Sequence, residues 1–218
     1  MKRRRETTPL PASLASLPMR TFRPRDAEIA YPHPRTQLAR LVERGVLHRV
    51  AEGYYVVVPQ EMAGRPWLPN LEAAAAGIAS AIYGTDGAAL MGISAARVLG
   101  AIPRALATAV VAVPKQHRPI ALTDRFSVVR FVKRDMTRLD VERVQTPLGP
   151  ALTTTPEQTI LDLAHRPSLG DAEVEVPSAI AALYGRSDKK RMEANALDQR
   201  LTASLRRAEV WAGAHGGS

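Results

Sequence analysis

The sequence contains no cysteine. Disulfides, thiolate nucleophiles, cysteine-bound zinc and iron–sulfur clusters are therefore excluded, and a reducing cytoplasm is the expected setting. Aromatic residues make up only 5% of the 218, and the most apolar run, residues 73–83, is alanine-rich and bounded by Glu72 and Asp86. It falls short of the ~18 apolar residues that a membrane-spanning helix needs, so no membrane partner is expected. The start, Lys2-Arg3-Arg4-Arg5, imitates the basic end of a signal peptide. Pro9, Pro11 and Pro18 interrupt the apolar stretch that a signal peptide requires next, and Arg20 stops it, so residues 1–12 read as a flexible basic arm. Phosphate-cradling loops of the Gly-x-x-x-x-Gly-Lys-Ser/Thr type, dinucleotide-binding glycine patterns and His-Glu-x-x-His are all lacking, and the histidines are scattered. No cofactor or metal is expected.

What is present is an ordinary globular composition, 45% hydrophobic and 23% charged, with an uneven positive balance. Lys plus Arg total 30 against 21 Asp plus Glu, a formal charge of +9. Residues 1–60 carry 11 basic and 5 acidic residues; the remaining 158 carry 19 and 16. Two thirds of the excess thus sits in little more than a quarter of the chain. An anionic partner is implied, though charge alone does not choose between nucleic acid and a membrane surface.

The basic segment has a readable order. Short helices are expected near 13–17 and 24–29. Tyr31-Pro32-His33-Pro34 then forms a rigid turn that places proline at a helix's first position, where no amide hydrogen is needed. The helix runs from Pro34 to about Arg44, with Leu38, Leu41 and Val42 as its apolar stripe and Gly45 at its C-terminal cap. Gln37, Arg40 and Arg44 share another face, with Thr36 beside them. Residues 46–50, a turn at 51–53 and residues 54–58 form a hairpin pattern rich in β-branched and aromatic residues. This is the order of a winged helix-turn-helix over residues 13–60. Residues 61–69 read as a proline-marked linker, 70–212 as a mixed α/β second domain and 213–218 as a flexible tail. The expected class is α+β.

A B-DNA major groove admits one α-helix, whose exposed side chains read base edges. Thr36, Gln37 and Arg40 are placed to reach in, glutamine pairing with adenine and arginine with guanine. Arg23, Arg25, Arg35 and Arg44 are candidate phosphate contacts, which position without reading sequence. Arg49 and the hairpin turn are a candidate wing. Lys2, Arg3, Arg4 and Arg5 would enter a minor groove or add salt-sensitive affinity. Tyr54 and Tyr55 point to opposite sides, one towards the core and one free for a phosphate.

In the second domain, strands are expected near 109–113, 127–132, 141–146 and 150–153. Helices are expected from Asn70, near Ser94, from Thr155, over 172–184 and over 189–211. Gly92-Ile93-Ser94-Ala95-Ala96 approaches the Gly-x-Ser-x-Gly nucleophile turn but lacks its last glycine, and Ser94 reads as a helix cap. Asp162 and His165 read as a surface pair at i, i+3. Asp171, Glu173 and Glu175 suggest a metal-dependent nuclease, but no lysine stands after them at the necessary spacing. The chain is therefore read as no enzyme.

Residues 21–26, 35–50 and 53–55 resemble the N-terminal winged helix of AbiEi-type antitoxins of bacterial type IV toxin–antitoxin systems. Residues 93–96 and, more specifically, Leu152-Thr153-Thr154-Thr155-Pro156-Glu157-Gln158-Thr159-Ile160-Leu161-Asp162-Leu163-Ala164 are similar to that family's second domain. The resemblance covers roughly residues 13–185. It implies a protein that binds inverted repeats in double-stranded DNA of its own promoter and represses its operon. It also implies neutralisation of a cognate nucleotidyltransferase toxin, without the need for a stable complex. The basic residues Arg200, Arg206 and Arg207 have no role in that pattern; DNA or an acidic toxin face are alternatives. The competing readings are a plain regulator whose second domain senses a ligand or dimerises, and an enzyme acting on nucleic acid.

Overall fold

Prolines and glycines set the boundaries of the first elements. The computed structural model describes residues 10–215; Lys2, Arg3, Arg4 and Arg5 of the expected arm lie outside the described residues. Helix α1 (Ala12–Ala15) is one turn long, and strand β1 (Thr21–Phe22) comes after a 3-10 turn over Pro18–Arg20. A second 3-10 turn, Pro24–Ala27, takes the place of the expected helix near 24–29. Its Asp26 carboxylate accepts from the Arg23 amide at 2.8 Å. Helix α2 (Pro34–Glu43) begins on its proline. It ends where Gly45, at φ +71°, lets the Gly45 and Val46 amides donate back to Val42 and Leu41. Strands β2 (Leu47–Ala51) and β3 (Tyr54–Val57) form the hairpin, and β1 pairs with β3, giving a sheet ordered β1-β3-β2.

This small sheet is covered on both faces. Phe22, Leu47 and the half-buried Tyr55 and Val57 pack with Leu14, Leu38 and Leu41 of α1 and α2. Met19, Val50, Ala51 and Val56 belong instead to the large core, built around helix α3 (Leu71–Tyr83). The two tyrosines do take opposite faces, but both are packed. Tyr55 lies 6.2 Å from the Phe22 ring and Tyr54 packs on the large core, and each ring stays half-buried.

Asn70 caps α3 by accepting from the Ala73 amide at 2.8 Å. The remaining strands are β4 (Ala89–Leu90), β5 (Thr108–Val113), β6 (Ile120–Ala121), β7 (Val128–Lys133), β8 (Val141–Thr146) and β9 (Gly149–Thr154). They form one mixed sheet ordered β6-β7-β5-β4-β9-β8, with β5–β7 and β4–β9 parallel and the other pairs antiparallel. Every residue of β5 is buried, so helices cover both of its faces. Helix α3 packs on β4, β5 and β9, α4 (Gly92–Val98) on β5 and β9, and α5 (Pro156–His165) on β9. Helices α6 (Val176–Tyr184), α7 (Lys189–Asp198) and α8 (Thr202–His215) pack around α5.

Three elements depart from expectation. Ser94 is no cap: it lies inside α4, fully buried, and its hydroxyl accepts from the Val110 amide at 2.8 Å, tying the helix to β5. The span 189–211 is not one helix. It breaks at residues 199–201, where Arg200 adopts φ +58° and the Leu201 amide turns back to the Ala196 carbonyl. Residues 213–215, assigned to the tail, continue α8. No helix among the described residues is long and apolar enough to cross a membrane.

Candidate nucleic-acid interface and the motif helix

Helix α2 buries Leu38 and Leu41 completely, and this fixes which side faces outward. Thr36 and Arg40 on the expected reading face are well placed for solvent, as are the neighbouring Arg35 and the half-exposed Gln37. None of these four side chains forms a hydrogen bond or ion pair among the described residues. The second unit treats its arginines differently. Arg104 pairs with Glu175, Arg130 with Asp171, Arg134 with Asp162, Arg138 with Asp198, Arg143 with Asp86 and Arg191 with Asp140. On α2, in the segment that holds most of the excess positive charge, these uncommitted side chains stand together on one helix.

The other predicted contacts do not all join them. Arg23 is 19% exposed and lies 3.5 Å from Asp26, and Arg25 lies 3.7 Å from the same carboxylate. Their charge is partly spent inside the unit. Arg44 is exposed at the C-terminal end of α2, beside a groove lined by Arg20, Val46 and Val57.

Arg49 is exposed, but its hairpin is not free. The Thr123 amide donates to the Val50 carbonyl at 2.9 Å and the Thr123 hydroxyl to the Arg49 carbonyl at 3.2 Å, while Ala51 bridges to Leu122. His48 Nε2 stands 2.6 Å from Asp124 Oδ2, with Trp67 edge-on to the imidazole at 6.2 Å. Strand β2 of the hairpin expected to act as a wing is therefore docked, through residues 48–51, on residues 122–124.

Asp124 holds that dock. Burial acts to raise its pKa, but hydrogen bonds and charge from Arg125 and His48 outweigh it and hold the carboxyl below its ordinary value. A depressed acid stabilises the fold above the ordinary carboxylate value of ~3.9, and the contribution is lost as pH falls through the folded value. Thermal melts of the chain and of Asp124→Asn should therefore differ most at neutral pH, and the gap should close below about pH 4. A gap independent of pH would show that the ionised carboxylate does not hold the hairpin.

The motif of helix α5 is spent on tertiary structure, residue by residue. Thr155 caps the helix by accepting from the Gln158 amide, and its hydroxyl donates to Asp140 at 3.0 Å. Glu157 accepts from the Asp188 amide at 2.7 Å, which fixes the start of α7. The Thr159 and Thr154 hydroxyls meet at 2.7 Å. Asp162 is not on the surface: its side chain is 1% exposed and Oδ1 accepts from Arg134 Nη1 at 2.7 Å and Gln158 Nε2 at 3.1 Å. Burial pushes its carboxyl up, against the pull of Arg134. The pairing of Asp162 with His165 expected at the surface is thus replaced by a buried ion pair with Arg134, the residue just after β7. Arg207 donates to the Ala164 carbonyl at 2.7 Å, so this member of the basic tail closes the C-terminus of α5.

Two of the three acids weighed for metal chemistry are also committed, and Glu173 is exposed. Asp171 accepts from Thr108 at 2.8 Å and pairs with Arg130, and Glu175 pairs with Arg104. Among the described residues no cluster of three or more His, Asp or Glu side chains could hold a metal ion.

A model of the AbiEi antitoxin C-terminal domain matches residues 87–210, more than half of the chain and all of the motif helix. The chain belongs to the AbiEi antitoxin family. The AbiEi domain thus begins just before β4 and takes in the mixed sheet and helices α4 to α7, together with most of α8. The crystal structure of RV2827C protein from Mycobacterium tuberculosis is similar in fold, with a TM-score of 0.56 over 91% of this chain and 72% of that one, at 19% identity. A comparison with curated proteins finds no match.

Proposed function

We propose that this AbiEi-family chain is a transcriptional autorepressor and antitoxin. In this reading its N-terminal unit is a winged helix-turn-helix that binds inverted repeats in its own promoter. The observation that carries the reading is the row Arg35, Thr36, Gln37 and Arg40 on α2, reachable from solvent and without partners among the described residues. The element order and the β1-β3-β2 sheet support it, because they set α2 on a rigid base as groove-reading helices require. Thr36, Gln37 and Arg40 read bases; Arg35 and Arg44 hold phosphates. Arg25 and Arg49 are secondary backbone contacts, and Arg23 serves the fold through Asp26. Because β2 of the hairpin is docked on residues 122–124, α2 and not the wing carries the specificity.

The AbiEi domain neutralises a cognate nucleotidyltransferase toxin, with or without a stable complex. The shared core between the small sheet and α3 makes the two activities properties of one folded body rather than of two separable pieces.

The arm provides the test of the electrostatic part. Deleting residues 2–5 should weaken binding to all duplex sequences and reduce the slope of log affinity against log salt by about 0.9 for each phosphate contact removed. Fluorescence anisotropy with the upstream DNA across a salt series measures that slope. An unchanged slope would remove Lys2, Arg3, Arg4 and Arg5 from the interface.

A further inference from the structure

The large sheet ends on β8, an edge of six residues. The other sheet edges among the described residues are short or covered. Strands β1 and β6 have two residues each, and β2 is docked on residues 122–124. Along β8 the register with β9 runs unbroken from Val141 to Thr146, and the strand holds no bulge, proline or lysine. Those are devices by which natural proteins keep an edge from pairing.

The direction of its backbone groups follows from β9. Gln145 stands opposite Pro150, which has no amide hydrogen, so the two form a non-hydrogen-bonded pair. The two kinds of pair alternate along an antiparallel ladder, so Val141, Arg143 and Gln145 turn their N–H and C=O groups away from β9. The Thr155 amide, which donates to the Asp140 carbonyl just before Val141, fits that phase. None of the three outward residues has a backbone partner among the described residues. The strand is also reachable: Glu142, Arg143 and Gln145 are exposed and Val144 is half-buried.

A second β8 can supply the missing partners. A two-fold axis perpendicular to the sheet sets two copies antiparallel and keeps each side chain on its own face, so odd residues meet odd and even meet even. Centring the axis on Glu142 or Arg143 places like charges directly opposite, which is destabilising. Centring it on Gln145 shortens the overlap and sets Arg143 against Pro147, which has no amide hydrogen to offer. Centring it on Val144 brings the two valines together, sets Arg143 opposite Gln145 and Glu142 opposite Thr146, and leaves no like charges face to face. In that register Arg143 of one copy and Gln145 of the other exchange both of their backbone hydrogen bonds. The Arg143 guanidinium is already turned to Asp86 within its own chain. We propose that the chain forms a two-fold dimer by antiparallel pairing of β8 with β8, centred on Val144. Such a dimer has the symmetry that an inverted repeat asks for, but the inference stands without the proposed DNA reading.

The test is analytical ultracentrifugation of the full chain, without DNA, from about 1 μM to about 500 μM, a span that covers weak as well as ordinary self-association. A monomer–dimer equilibrium is expected. Gln145→Pro removes an outward N–H and no bond to β9, so it should raise the dimer Kd at least tenfold while the denaturant midpoint of the dilute monomer stays in place. Gln37→Ala/Arg40→Ala should dimerise as the parent does, which separates this inference from the DNA reading. The sequence has no cysteine, so single cysteines report the register. Side chains come closest in a non-hydrogen-bonded pair, so Val144→Cys should form an intermolecular disulfide under mild oxidation, and Glu142→Cys should not. Should Gln145→Pro fail to fold, the two cysteine variants decide. A monomer throughout the range, a dimer that Gln145→Pro leaves intact, or equal crosslinking of both cysteine variants would overturn the inference.

Discussion

Replacing Gln37 and Arg40 together with alanine is expected to erase the chain's preference for its own upstream DNA while leaving the protein folded. Each bidentate side-chain–base pair discriminates by ~1–3 kcal/mol, so the loss of two amounts to roughly 2–6 kcal/mol. That is about 30-fold to 10⁴-fold in relative affinity. Arg35 and Arg44 remain to hold phosphates, so sequence-independent binding should persist, with the same steep salt dependence. The melting temperature should not move, because neither side chain has a partner among the described residues. A competition gel-shift, upstream repeat against scrambled duplex, measures the ratio. Co-expression with a neighbouring nucleotidyltransferase measures the other half, and growth rescue by the double variant should equal that of the parent chain. Retained preference for the repeat would remove α2 as the reading element. Lost rescue would show that promoter binding and neutralisation share a surface.

The second large effect is expected at the seam between the small sheet and α3. Gly77 faces β1 so closely that a Cβ there would stand 2.2 Å from Thr21 Oγ1 and 3.1 Å from Thr21 Cβ. Thr21 cannot easily turn away, since its hydroxyl donates to the Met19 carbonyl at 2.7 Å and both residues are buried. Gly77→Ala should therefore push the N-terminal unit off α3. Overpacking of this kind costs about 1–3 kcal/mol, and the gain in helix propensity recovers roughly 1 kcal/mol at most. Thr21→Ala removes the clashing oxygen, so the double variant should be more stable than Gly77→Ala alone, a coupling that denaturant melts of the three variants resolve. A stable Gly77→Ala with an unchanged midpoint would mean that the seam is not a packed interface.

Much of the N-terminal unit was legible because its signals are local. Pro34 and Gly45 bracket α2, and the alternation across residues 46–58 marks the hairpin, since caps, proline and β-branched runs act over a few residues. Asn70 and Thr155 announced their helices for the same reason. The strands β1, β4 and β6 are two residues each and exist only through pairing, so no periodicity could reveal them. Ser94 looked like a cap because its hydroxyl invites one; its true partner, Val110, lies on another element. The wing reading of Arg49 failed to anticipate docking because Thr123 and Asp124 are more than 70 residues away along the chain. Asp162 read as a surface residue through its spacing to His165, whereas Arg134, which sets its environment, comes from the end of β7. The apolar flanks Leu161 and Leu163 were the available sign that this helix is buried nearly all round. Family membership was legible for a related reason: the polar residues of the motif helix each have a fixed tertiary partner, which makes their order distinctive.

The most direct measurement is a footprint of the full chain on the DNA upstream of its own gene, at low salt, with the Gln37→Ala/Arg40→Ala protein run beside it. Protection of an inverted repeat by the parent chain, and none by the variant, is the predicted result. Absence of protection by the parent, or an identical footprint from both proteins, would contradict the assignment of α2 to the DNA groove.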